Sequence, residues 1–166
     1  KIMSGPIGGN TARASGVVAA AGGGGKVLQV VTNVSNTAVN SSASGWIVLT
    51  DIAVTITPSS SSSKIFVITD LPLYSYGGYD MWVTIMRDST NIGQATTGFG
   101  NLAKRDGSSW NYDVIVSLNV LDAPATTSAI TYSIQLDPRG QGGGGAGVIA
   151  ANTPPCMITA WEIDGS

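Results

Sequence analysis

Residues 114–120 impose the strongest constraint on the fold of this chain. Val114, Val116, Leu118 and Val120 alternate with Ile115, Ser117 and Asn119. Successive side chains of a strand point to opposite faces, so an apolar period of two marks a half-buried strand. The period recurs along the chain. Ile52, Val54 and Ile56 share one face of the run 46–57, with Ala53, Thr55 and Thr57 on the other. Ile130, Tyr132, Ile134 and Leu136 form a second such face, and Met157, Thr159, Trp161 and Ile163 a third. Further strands are predicted over Lys26–Val34, Lys64–Asp70 and Met81–Asp88. A short one over Asn91–Thr97 is joined by the tight turn Asp88-Ser89-Thr90-Asn91. Pro58 and the five serines after it separate two of these runs. No window carries apolar residues at i, i+3, i+4 and i+7 with caps. Eight or so short strands punctuated by turn signals predict an all-β fold, an antiparallel β-sandwich of jelly-roll type. The stretches Trp46–Leu49 and Ile65–Ile68 are apolar on both faces. They are expected to bury one face in the core and the other against a subunit.

The chain divides into residues 1–26, a Gly/Ala-rich arm or linker, and residues 27–166, the sandwich. Gly5-Pro6, Gly8-Gly9 and Gly22–Gly25 punctuate the first part. Its small residues are too few in apolar area to fold alone. Val17 and Val18, in the short run Ala14–Ala21, are its candidate assembly contacts. Lys1 stands first, so the chain is expected to be processed, to be a piece of a longer protein, or to start at Met3. Two loops are expected inside the sandwich. Pro138–Pro155 holds the run Gly142–Gly145 and then Val148-Ile149. Leu71–Asp80 gathers three of the five tyrosines around a Gly-Gly turn. Loops of this length in a compact domain are uncommon and often functional.

Composition excludes most chemistry. The sequence has no His, one Cys and one Glu, Glu162. A Ser-His-Asp or Cys-His arrangement therefore cannot form, and the commonest metal ligand is missing. Cys156 reads as a small buried hydrophobe. The aspartates at strand ends suit turns, and none is singled out as half of an acid–base pair. The glycines before Lys26 lead into a strand, whereas a phosphate loop leads into a helix. Eight basic against ten acidic residues give a net charge of −2, the wrong sign for a nucleic-acid partner. No apolar run is long enough for a transmembrane helix. The expectation is a protein with no enzymatic activity and no catalytic, cofactor or metal site. Its candidate surface contacts are Tyr74, Tyr76 and Tyr79, with Trp110, Tyr112, Gly143 and Gly144. Amphipathic rings on loops suit contact with sugars or proteins.

Several phrases resemble a family of structural proteins of tailed bacteriophages, especially phages of marine and cyanobacterial hosts. They run in order over residues 26–164: Lys26–Val31, Ile56-Thr57-Pro58-Ser59, Ser63-Lys64-Ile65, Arg87-Asp88 with Asn91-Ile92, Leu121–Pro124, Thr127–Ala129 with Thr131-Tyr132, and Ile158–Ile163. Members are similar to C-terminal domains of tail fibres or to small head-decoration proteins. The resemblance implies a homotrimeric β-sandwich on the outside of a virion, assembled in the host cytoplasm. Its partners would be itself, other tail or capsid proteins, and a host cell-surface glycan or protein. The leading expectation is the distal, receptor-binding domain of a tail fibre. The alternative is a capsid decoration (cement) protein that holds the head through its N-terminal arm. Charged residues make up 11% of the chain, against about 25% in average proteins. Such a surface has few ion pairs for salt to screen.

Overall fold

The computed structural model describes residues 25–41, 45–75, 80–93, 98–102, 112–139, 147–149 and 155–165. Within them the chain forms eleven strands and no helix. They are β1 (Val27–Ser35), β2 (Val39–Ser41), β3 (Ile47–Ile56), β4 (Lys64–Ser75), β5 (Asp80–Arg87), β6 (Thr90–Asn91), β7 (Gly100–Leu102), β8 (Tyr112–Asp122), β9 (Ile130–Arg139), β10 (Gly147–Ile149) and β11 (Cys156–Ile163).

Two antiparallel sheets result. The first sets β1 beside β11, β11 beside β4, and β4 beside β8. Beyond the end of β11, β10 takes its place along β4 and carries β2 on its outer side. The second runs β3-β9-β5-β6, with β7 also on β5. The eight principal strands are nested: β1 pairs with β11, β3 with β9, β4 with β8 and β5 with β6. This is one long antiparallel hairpin rolled up, with its tip at the turn Asp88-Ser89, and it is the jelly roll. Asp88 takes the positive φ of 50° that a two-residue hairpin turn requires.

The alternating residues form the core between the sheets. Ile52, Val54 and Ile56 of β3 are buried, as are Ile130, Tyr132, Ile134 and Leu136 of β9. Val83 and Ile85 of β5 face them across the register Val83↔Leu136 and Ile85↔Ile134. From the other sheet come Ile65, Val67, Leu71 and Leu73 of β4, with Ile158 and Ala160 of β11. Each fully buried Leu, Ile or Val contributes about 1.5–3 kcal/mol over exposure.

The structure extends three sequence assignments. The tyrosine segment is not a loop throughout, since Leu71–Ser75 continue β4 and Asp80 begins β5. Leu71 and Leu73 carry on the buried alternation of Ile65 and Val67. Pro72 masks it in the sequence, but lies between Asp70, the last partner of β11, and Leu73, the first partner of β10. A proline fits a central strand at such a break in the ladder. Likewise β9 runs to Arg139, and β10 lies inside the expected glycine loop. Of the short strand expected over Asn91–Thr97, the described part is Thr90–Asn91, where the hairpin pairs Arg87 with Thr90 and Met86 with Asn91. Residues 94–97 lie outside the described residues.

Candidate functional site

The two ends of the sandwich differ. At the lower end Asp122 of β8 accepts two bonds from Arg87 Nη1, at 2.9 and 3.0 Å, and one from Tyr132 Oη at 2.7 Å. These join the end of β8 in the first sheet to β5 and β9 of the second, and burial together with Asp122 raises the Tyr132 hydroxyl pKa. The chain also begins and ends its described course here. Gly25 N–H donates to Asp164 O, and Asp164 N–H to Lys26 O.

A buried carboxylate closes the same end. Glu162 Oε1 accepts the Ser59 N–H, the Ser59 hydroxyl and the Ser63 hydroxyl, each at 2.7 Å. Gln29 Nε2 donates to Oε2 at 2.6 Å. Burial alone would raise this carboxyl, but the donors outweigh it and hold its pKa down to about 2. With four donors in place, Glu162 is a structural tie between the serine segment, β1 and β11. Cys156 is buried, which pushes its thiol up to about 11, so it is a poor nucleophile. No group of three or more His, Cys, Asp or Glu able to hold a metal occurs among the described residues.

The upper end carries the candidate contacts. Tyr74 lies opposite Asp113 and Ser75 opposite Tyr112, so the structure brings Tyr74 and Tyr112 onto adjacent strands. Both are strand residues by backbone, not loop residues, because β4 and β8 pair to their upper limits. Gly147 flanks Ser75 on the other side and Ser41 flanks Gly147. In the second sheet Asp80 faces Arg139, and Met81 faces Leu102. The connections 42–44, 76–79, 103–111 and 140–146 therefore all join strands at this end. Tyr76, Tyr79, Trp110, Gly143 and Gly144 belong to them and lie outside the described residues, as do Val17 and Val18 of the arm.

The outer faces of the sheets differ as well, and periodicity alone does not show this. On the second sheet, Val48, Ala53 and Thr55 of β3, Thr131, Ser133 and Gln135 of β9, and Trp82, Thr84 and Met86 of β5 share the outer side, where Thr84 and Met86 are buried. Among the described residues, Val48 is its one large apolar side chain that is strongly exposed, at 50%. On the first sheet the outer side is laid out in rows. Val30, Trp161, Phe66 and Leu121 stand in register, then Thr32, Thr159, Ile68 and Asn119, then Val34, Met157, Asp70 and Ser117, then Pro72 and Ile115. Trp161 is 39% exposed, Val30 49%, Leu121 60% and Ile115 61%. A groove of about 500 Å³ opens among Val34, Asp70, Pro72, Ile115, Pro155 and Met157. The face Met157–Thr159–Trp161–Ile163 read from the sequence is thus the outer one, and Cys156, Ile158, Ala160 and Glu162 face inward.

No family model matches the chain, and no curated protein sequence matches it. Among solved structures it is similar to a chain of the structure of infectious bursal disease virus Gx strain, at TM-score 0.42 and 15% identity over 81% of this chain and 37% of that one. It is also similar to the infectious bursal disease virus VP2 subviral particle, at TM-score 0.42 and 13% identity over 81% of this chain and 39% of that one. The chain spans well under half the length of either. These likenesses are weak, and the jelly roll stands on its own strand order.

Proposed function

We propose that this chain is a non-enzymatic structural protein of a bacteriophage virion, and more specifically the distal domain of a homotrimeric tail fibre that contacts the host cell surface. One observation carries the finer reading. The described chain starts at the lower end, at Gly25 beside Asp164, whereas the connections bearing Tyr76, Tyr79, Trp110, Gly143 and Gly144 join strands at the upper end. A domain entered at one end and carrying these connections at the other suits the tip of an appendage. Loops set on a rigid sandwich are the usual way such a scaffold presents contacts to a glycan or protein.

Three further points support the coarser reading. The ordered phrases over residues 26–164 resemble phage structural proteins. Jelly rolls serve as viral capsid and lectin domains. The buried ionisable groups of the lower end are consumed by structural bonds. The test is gold labelling of intact virions with antibodies to the chain, viewed by electron microscopy. Label at fibre tips is the expected result. Label over the head would replace the fibre reading with the decoration reading, and unlabelled virions would overturn both.

A further inference from the structure

We propose that a second copy of this chain covers the outer face of the β1-β11-β4-β8 sheet. The inference deepens the assembly reading above by naming the surface through which copies meet.

The two outer faces contrast. Both belong to one small domain and both are sheet surfaces of similar extent. Of the large apolar side chains exposed among the described residues, Val48 alone lies on the second sheet, while Val30, Val34, Ile115, Leu121 and Trp161 lie on the outer side of the first. A soluble sheet with one solvated side shows the polar pattern. The apolar rows are therefore a property of that face, not of the fold.

Size points the same way. Four strands about 4.8 Å apart, followed for about eight residues at roughly 3.3 Å each, give a face of about 19 by 26 Å. That is about 500 Å² per copy and about 1,000 Å² over two, before side-chain relief is counted, and specific interfaces begin near this size.

Nor does the face repel another copy. The face reads apolar, polar, apolar from bottom to top, with Thr32, Thr159 and Asn119 in the middle row. Thr32 and Thr159 already bond to each other at 3.1 Å. Its described charges are Lys64 and Asp70, opposite in sign, and the Ser117 hydroxyl donates to Asp70. A second copy thus meets neither net repulsion nor a row of unmatched polar groups. Residues 1–24 are a poorer cover, since their larger apolar residues are only Ile2, Met3, Ile7, Val17 and Val18.

The test is the mass of the full chain in solution by light scattering, with three variants. Leu121→Asp and Ile115→Asp alter exposed positions of the face, so folding is expected to survive and is checked by circular dichroism. Val48→Asp alters an equally exposed position (50%) of the other sheet and serves as control. We expect a mass of two or more times 16.8 kDa. The two face variants should weaken assembly about 30-fold or more, because each would bury an unpaired carboxylate in the contact, while Val48→Asp leaves it unchanged. A trimer dissociated by the face variants supports both the face and the threefold reading. A dimer so dissociated supports the face and overturns the threefold reading. An oligomer indifferent to both variants overturns the face and leaves assembly to another surface. A monomer at all concentrations overturns the proposal together with the homotrimer.

Discussion

Replacing Glu162 by Gln tests whether one carboxylate holds the lower end of the sandwich together. The side chain is fully buried, and its two oxygens receive four donors from Ser59, Ser63 and Gln29. Its folded pKa of about 2 lies below the ordinary 4.5. A group depressed in this way adds stability above its unfolded pKa and loses it as pH falls through the folded value. The shift corresponds to about 3 kcal/mol, present above pH 4.5 and lost progressively between about pH 4.5 and 2. The amide of Gln keeps one acceptor oxygen, but its NH₂ then confronts an N–H donor of the cage. One charge-assisted bond is lost outright and the others weaken.

Glu162→Gln should therefore unfold with about 2–3 kcal/mol less stability at pH 7. That is a fall in Tm of roughly 6–9 °C for a domain of this size. Urea titrations of both proteins at pH 7, 4, 3 and 2.5, followed by tryptophan fluorescence, measure the difference directly. The other carboxylates titrate in both proteins, so the gap between the two curves isolates this residue. It should narrow as pH falls and nearly close by pH 2. A gap that is absent at pH 7, or constant from pH 7 to 2.5, would refute the reasoning.

Tyr132→Phe removes one bond to Asp122 while keeping the buried ring, so about 1–2 kcal/mol should be lost in denaturant titration. Gly98 has a φ of +62°, and an added Cβ would sit 2.4 Å from Val83 O, so Gly98→Ala should destabilise by about 3 kcal/mol or more. Gly25 has a φ of +107° and open space, so Gly25→Ala should cost only about 1 kcal/mol. Cys156 should resist iodoacetamide at neutral pH in the native protein and react once urea unfolds it. Rapid native labelling would show that the thiol is not held in the core.

Local alternation made the strands legible, because burial on one side imposes a period of two wherever it occurs. The order in which they pair was not legible from that pattern. Gln29 and Glu162 bond across 133 positions of sequence, and Ser63 and Glu162 across 99. No local propensity encodes partners so far apart. The serine run reads in sequence only as a break, and its role appears once the fold brings it under Glu162. The bulge in β3 is similar. Leu49 faces Ile134 and Ala53 faces Ser133, so residues 50–52 are extra in the ladder. Asn33 then donates to the carbonyls of Asp51 and Ala53, a bond that fastens β1 to the edge of the other sheet. At β11 the period was readable but not its sense. Trp161 and Met157 outweigh Ala160 and Cys156 in size, yet the smaller set faces the core.

That inversion at β11 ties the side face to the upper end. If copies meet through the Trp161 face around a threefold axis that runs along the strands, their upper ends point the same way. Three sets of the connections that hold Tyr76, Tyr79 and Trp110 then lie close together. Linked weak contacts of this kind gain about 10²–10⁴ in avidity without any new bond. If copies instead stack face to face about a twofold axis perpendicular to the strands, the upper ends point apart. Each then meets a cell surface alone, and the gain disappears. The symmetry of one apolar face therefore decides whether the loops of the other end act singly or together. The masses of the chain and of its face variants therefore bear on both the assembly surface and the receptor-binding tip.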